Sequence, residues 1–478
     1  MALPDVEMRV ADGALGLVDN DAQTTTAKLG VATGGTPNTI YAFSDKETLL
    51  ATLIGGPVVE AAADTLNESG GTVLVGTIGA TVPGTLGPVT HKGSGVGILT
   101  PSGAPNDAYS VVVTIQQPGM VGSASFKLSL DAGGSSSPEL ATTLSGKYPV
   151  DAANIALNFS PGPYAAGDVY SFECTAPGYS AVDATTAFGA LLADARQWKL
   201  VHLVGAPASG DDASRAVGAA ALAAAIGTQM ASAATLHRYS RAILEAPDVA
   251  DAALIAAFSN FVDARVAVAA GYIGHLSALT GRELKRSAAW PVATRAAKIP
   301  ISQDLAWVGA PQGPLPSSVR RLYRDERKTP ALDSARFITL RTLIGRRGPY
   351  ITNPNTMALS NSDYSLLQNG LVMDAACAAS YDAMLDYLSA TLTVDDKRGT
   401  IDEVDAVAAE AKVIGKVGAV VLQPGHVSAL SVRINRTDNI LSNRKLRWKV
   451  RAIPKAYPKF IEVEIGFLNP ALAILPAA

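Results

Sequence analysis

Between Val427 and Phe467, hydrophobic and polar positions alternate with the two-residue period of half-buried strands. Leu430, Val432 and Ile434 make the first run, Leu446, Trp448 and Val450 the second, and Ile461, Val463, Ile465 and Phe467 the third. The second carries Arg447, Lys449 and Arg451 on its other face and the third carries Glu462 and Glu464. Pairing of these two strands would bring the basic and acidic faces together across the ladder, with each opposite-charge pair contributing ~0.2–1 kcal/mol. Near the other end, Val6, Met8 and Val10 alternate with Glu7 and Arg9. One-sided apolar strands at both ends template pairing with other chains, and both are expected to be donated to neighbouring subunits.

The rest of the chain changes period several times. Residues 28–32 and 72–76 read as strands flanking a helix, whose start is marked by Ser44 and Glu47 ahead of Leu49, Leu50 and Leu53. From 81 to 181 the chain is rich in Gly, Ser, Thr and Pro. Short alternating runs there (Val111/Val113/Ile115, Phe126/Leu128/Leu130, Tyr170/Phe172/Cys174) predict an inserted antiparallel β domain. From 183 to 300, helices 184–196, 211–233 and 250–261 alternate with strands 200–204, 241–244 and 265–268, the rhythm of a parallel sheet under helices. Strands at 336–341 and 349–352 precede a helix over 363–391, with Leu367, Leu371, Ala378, Tyr381, Leu385 and Leu388 on one stripe read as core. Thr400 and Glu403 mark another helix start, predicting Ile401, Val404, Ala408 and Ala411 inward and Asp402, Asp405 and Glu410 outward. The expected architecture is multidomain, α/β with α+β. An N-terminal arm (1–26) joins 331–478 in a C-terminal α+β domain, 27–80 with 182–330 form an α/β domain, and 81–181 is the β insertion.

Composition narrows the function. The 478 residues suffice for several cores, yet only 17% are charged and 48% hydrophobic, with 43 Gly and 28 Pro, which favours a subunit of an assembly over a solitary enzyme. A net charge of −3 gives no general attraction to nucleic acid or anionic membranes. Cys174 and Cys377 lie far apart and read as buried thiols. With no signal-like start and no uninterrupted apolar run of about 18 residues, a soluble protein without membrane insertion is expected.

The α/β rhythm invites a test for enzyme chemistry. The turn after strand 200–204, Gly205 to Asp212, lacks the G-x-G-x-x-G spacing, and Asp211 and Asp212 favour the helix N-terminus while repelling a phosphate. N-capping is the better reading. Gly146-Lys-Tyr and Gly415-Lys-Val lack the register of a P-loop. The five histidines stand singly, and His202, inside an apolar strand, reads as a hydrogen-bonded structural residue. Asp395-Asp396, followed by Lys397 and Arg398, reads as a charge-balanced turn, and the cluster from Arg320 to Lys328 as a solvated or subunit-contacting surface. No catalytic, cofactor-binding or metal-ligating residue is assigned.

Several segments resemble the sheath protein of contractile phage tails. Leu29-Gly-Val-Ala-Thr-Gly-Gly-Thr-Pro-Asn38 is similar to the sheath strand and loop after the N-terminal arm, with a Gly-Gly-Thr-Val-Leu-Val strand at 70–75. Gly348-Pro-Tyr-Ile-Thr-Asn, Met357-Ala, Ser362-Asp-Tyr364, Val372-Met-Asp374, Gly399-Thr-Ile-Asp-Glu and the ending from Ile461 to Pro470 look like its C-terminal domain. Tyr164 to Phe172 is similar to the inserted β domain of one branch. The resemblance implies a virion subunit, made in the host cytoplasm, that stacks as hexameric rings around a tail tube. It implies strand exchange between copies, contraction that drives the tube through a cell envelope, and partners comprising the tube, baseplate and terminator proteins. Asp402, Asp405 and Glu410 are expected to contact the tube through a polar face that releases readily. The alternatives are the sheath of a bacterial contractile injection particle and an α/β enzyme carrying a β insertion.

Overall fold

The computed structural model describes residues 25–206 and 210–467. The chain opens with β1 (Thr26–Val31), β2 (Ile40–Phe43), α1 (Lys46–Leu53), α2 (Pro57–Ser69) and β3 (Val73–Ile78). A run of strands follows: β4 (Thr90–Lys92), β5 (Leu99–Gly103), β6 (Tyr109–Gln117), β7 (Ser125–Ser129), β8 (Leu140–Ala141), β9 (Lys147–Val150), β10 (Ile155–Phe159) and β11 (Val169–Cys174). Helix and strand then alternate through α3 (Ala181–Ala193), β12 (Leu200–Leu203), α4 (Asp212–Thr235), β13 (Arg241–Glu245), α5 (Asp251–Phe258) and β14 (Val266–Ala269). Beyond them lie β15 (Tyr272–Leu276), β16 (Glu283–Ser287), α6 (Ala289–Lys298), β17 (Val319–Leu322), β18 (Leu340–Thr342) and β19 (Pro349–Ile351). The last described elements are α7 (Leu367–Leu385), α8 (Glu403–Val421), β20 (Val427–Ile434), α9 (Ile440–Asn443) and β21 (Trp448–Pro454).

The central sheet has the order β14, β13, β12, β1, β3, β2, parallel except for β2, which pairs antiparallel at the edge. Its strands read as nearly unbroken apolar runs because helices cover both faces. On one side Leu29, Val201, Leu203 and Leu244 meet Phe188, Leu222, Ile226 and Phe258 of α3, α4 and α5. On the other, Leu200, Ile243 and Ala267 meet α6, while Val73 and Val75 meet α2. Among the described residues α4 is long and apolar enough to cross a membrane, but Ala216, Leu222, Ile226 and Met230 are buried against α3, α5 and the sheet.

Helix starts differ in detail from the sequence pattern. Asp211 caps α4 as expected, accepting from Ser214 N at 2.8 Å. The cap of α1 is Asp45 rather than Ser44, its Oδ1 accepting from Thr48 N at 2.8 Å. The spacing is the same three residues, shifted by one, because the Asp45 carboxylate reaches an orphan amide of the first turn.

Strands β4 to β11 form two antiparallel sheets of their own, β4, β11, β6, β7, β8 and β5, β10, β9. They share a core of Val111, Val113, Phe126, Leu157, Tyr164 and Tyr170. Leu284 of β16 enters that core, and Arg286 of β16 holds Asp107 in a buried bidentate pair with contacts of 2.6 and 2.7 Å. The fold is thus multidomain: a mixed α/β core, an α+β C-terminal region and inserted antiparallel sheets.

Candidate assembly site

The C-terminal region corrects the first pairing expected from the sequence. β21 pairs antiparallel with β20, setting Val432 opposite Val450 and Ile434 opposite Trp448, and residues 461–467 are in no strand. The alternation of 461–467 is real, but among the described residues no strand pairs with it. The expected partners Glu462 and Glu464 therefore do not meet Lys449 and Arg451, and Arg433 lies directly opposite Lys449 on the outer face. Among the described residues no third strand pairs with β20 or β21. The inner face of the pair packs on α7 and α8 through Val427, Val432, Leu430 and Val450.

The segment after β21 is tied down and then released. Tyr457 OH donates to Ser302 O at 2.7 Å, and Lys459 pairs with Asp304. Beyond these anchors Ile461, Val463, Ile465 and Phe467 are exposed, Phe467 fully and Ile465 by 90%. Val6, Met8 and Val10 lie outside the described residues.

Helix α8 corrects the second expectation. Its inward ladder is Ala406, Ala409, Glu410, Val413, Val417 and Val421, a regular three-to-four-residue spacing. Val404 (75% exposed), Val407 (50%), Ala408 and Ala411 face out. The helix carries two apolar stripes, and the one ending in three valines went into the core. Glu410 is consequently buried, not outward: it accepts from Ile434 N at 2.7 Å and Arg433 Nη1 at 3.1 Å and pairs with Arg436. Those bonds, led by Arg436, pull its carboxyl down to about 2. Asp402, not Thr400, is the N-cap, accepting from Val404 N at 2.9 Å, and Asp405 accepts from Thr393 N at 2.7 Å. Along α7, Leu367 and Leu371 are buried, but Tyr381 and Leu385 emerge from the core, as does Leu388 just past the helix end, so that stripe is core only in its first half.

The cluster that most resembles catalytic machinery crosses the middle of the parallel sheet. Lys28 and His202 are register partners on β1 and β12, with Lys28 Nζ 3.2 Å from His202 Nδ1. His202 Nε2 lies 3.0 Å from Glu245 Oε1, which also accepts from Trp290 Nε1 at 2.8 Å. An ammonium donating to Nδ1 leaves the proton on Nε2, directed at the carboxylate. Burial, then the Lys28 charge, pushes His202 down to about 4, and burial pushes Lys28 down to about 8. His202 is a buried, doubly hydrogen-bonded residue. Sequence reasoning passed over Lys28 and Glu245, although a charge inside an apolar strand was the available signal.

Glu245 and Trp290 border a cleft of about 310 Å³ at the carboxyl ends of β1, β12 and β13, where α/β enzymes hold their ligands. Its thiol, Cys174, is pushed up to about 12 by burial and stays protonated. Among the described residues no group of three or more His, Cys, Asp or Glu is placed to hold a metal.

The chain shares its fold with contractile sheath and baseplate proteins. One neighbour is a chain of the anti-feeding prophage baseplate in its contracted state (13% identity, 98% of each chain covered, TM-score 0.53). A second comes from the sheath complex of the PVC extracellular contractile injection system in its contracted state (9% identity, 98% of each chain, TM-score 0.52). The third comes from the contracted helical sheath of the anti-feeding prophage (10% identity, 98% of this chain and 99% of that one, TM-score 0.51). No curated protein matches the sequence. Residues 3–355 match the DUF2586 N-terminal domain, and the chain belongs to the DUF2586 family.

Proposed function

We propose that this protein is the sheath subunit of a contractile injection particle, polymerising around an inner tube by donating its terminal strands to neighbouring copies. The observation that carries this reading is the exposed segment 461–467 in a chain whose β20–β21 sheet has only two strands among the described residues. Ile461, Val463 and Ile465 present one apolar side and Glu462 and Glu464 one acidic side. The sheet of β20 and β21 presents an apolar inner face and, outside, Arg433, Lys449 and Arg451. Added to an edge of that sheet in another copy, the segment satisfies both, and the charges expected to pair within one chain pair between two. Val6, Met8 and Val10 supply the second donated strand.

The injection-particle reading is favoured over a phage tail because one of the structural neighbours above comes from the sheath complex of an extracellular contractile injection system. The expected partners are further copies of the chain, the tube protein and the baseplate. The tube-facing element is the outward side of α8, with Asp402 and Asp405 at its N-terminal end; Glu410 is excluded by its burial. Electron microscopy of the purified protein tests the proposal: tubes of stacked rings support it, and a monomer at high concentration in the presence of tube protein opposes it.

A further inference from the structure

The hairpin of β18 and β19 has two unlike faces. Leu340 and Ile351 are register partners and enter the core shared with α6 and α7. The period of two turns Arg341 and Leu343, and Thr352 across the ladder, to the other side. There they border a second cleft, of about 320 Å³, together with Glu326 and Arg327 from the charged cluster singled out in the sequence.

Three polar atoms on this face are buried without a hydrogen-bond partner among the described residues: Arg341 Nε, Thr352 Oγ1 and Thr339 Oγ1. Thr339 O accepts from Thr352 N at 2.9 Å, so the three belong to adjoining positions of one ladder. Thr352 is only 8% exposed and lines the cleft. Unpaired buried donors are costly, and several on one patch call for an acceptor that the chain does not itself supply. The acids lining the cleft are already engaged. Glu326 accepts from Ala331 N at 2.8 Å and Asp333 N at 3.1 Å and pairs with Arg324. Asp333 is held by the side-chain amides of Asn353 at 2.9 Å and Asn355 at 3.1 Å.

The rim selects the charge of the ligand. Two arginines and two carboxylates line it, so a singly charged oxyanion is drawn to the guanidinium, whereas a phosphate dianion meets repulsion from Glu326 and Asp333. A guanidinium beside a hydroxyl is a donor set suited to a carboxylate. Pro330, Ala331 and Leu343 add an apolar wall.

We propose that this cleft binds a carboxylate carried on a short aliphatic chain, with Arg341 and Thr352 donating to its oxygens and Leu343 covering the chain. A free short-chain acid and a glutamate side chain of a second copy share that chemistry. The site stands apart from strand donation and does not rest on the sheath reading.

The probe is butyrate, observed by saturation-transfer NMR with the full chain, against acetate and inorganic phosphate at equal ionic strength. Butyrate should bind more tightly than acetate, which lacks the chain, and phosphate should not displace it. Arg341→Gln should lower butyrate affinity about tenfold, the loss of one charge-assisted contact. Thr352→Val should lower it too while leaving the melting temperature at or above the parent's, because the hydroxyl it removes has no partner among the described residues. That variant keeps the test readable if Arg341→Gln unfolds. Sedimentation velocity separates the two sources: association of the parent that butyrate reverses assigns the second copy's glutamate, and association that butyrate leaves alone assigns the free acid. No transfer to butyrate, equal displacement by phosphate, or full affinity in both variants overturns the proposal. Binding is read on butyrate whether or not tubes form, so its failure leaves the sheath reading standing.

Discussion

Arg241 of β13 and Asp374 of α7 face each other in the core, Nε to Oδ2 at 2.9 Å and Nη2 to Oδ1 at 3.3 Å, joining the central sheet to the C-terminal region. Arg265 Nη1 adds a contact of 3.1 Å to the same carboxylate. The guanidinium fits because residue 370 is glycine: a Cβ there would stand 2.0 Å from Arg241 Cζ. The Asn369-Gly370 break in an otherwise strong helix pattern is thus the space left for an arginine. Removing one partner leaves a buried charge, so Asp374→Ala should destabilise the protein by about 3–5 kcal/mol. Gly370→Ala should cost about 1–3 kcal/mol by overpacking. Urea titration followed by circular dichroism checks both, and a neutral Gly370→Ala would contradict the close approach.

Glu410 clamps β20 to α8, and its carboxyl is held at about 2 rather than at the ordinary glutamate value of 4.5. A depressed carboxylate stabilises the fold above the ordinary value, and the contribution fades as pH falls through the folded one. Glu410→Gln should therefore lower stability at pH 7 by about 1.5–3 kcal/mol, as expected for bonds to a charged group. The deficit against the parent should shrink between pH 4.5 and about 2. Thermal melts across that range read it; a pH-independent difference would mean that packing alone is lost.

His202 has the same sign of dependence, in a higher pH window. Its folded value is about 4 against an ordinary 6.5, so below pH 6.5 the unfolded chain takes up a proton that the folded chain refuses. Stability should fall between pH 6.5 and 4 by on the order of 2–3 kcal/mol from this residue. His202→Gln should flatten that slope even if it lowers stability at pH 7. An unchanged slope would assign the loss to other groups.

The outward stripe of α8 predicts a separation of functions. Val404→Glu/Val407→Glu changes exposed side chains, so folding and melting temperature should stay close to the parent's. If this stripe faces the tube, copies should still associate with one another while co-sedimentation with tube protein is lost. Retained co-sedimentation would move the tube contact elsewhere.

What the sequence disclosed follows from how local each feature is. The parallel strands 200–203 and 241–245 and the helix capped by Asp211 were readable because their apolar runs and caps are contiguous. The phase of α8 was not, since Val404/Ala408/Ala411 and Ala406/Ala409/Val413 are equally regular and only packing on α7 and β20 decides between them. Nor was the pairing of β21: alternation at 461–467 marks a strand-competent segment without naming its partner. The polar line through Lys28, His202 and Glu245 joins residues far apart in the chain, so only the parallel register brings it together.

In the proposed assembly, residues 461–467 join another copy's sheet. Val463 is 70% exposed, so Val463→Asp should leave the subunit's own core intact. Burying a valine contributes roughly 1.5–3 kcal/mol and each net hydrogen bond about 0.5–1.5 kcal/mol, so one charge on the donated face should be felt at every interface of a polymer. Deleting residues 1–12 should act alike through the other strand. The decisive measurement is negative-stain electron microscopy of parent and Val463→Asp protein at equal concentration, with circular dichroism and size-exclusion chromatography on the same samples. The parent should form tubes and the variant should remain a folded, non-assembling subunit; tubes of normal length and number from Val463→Asp would contradict strand donation.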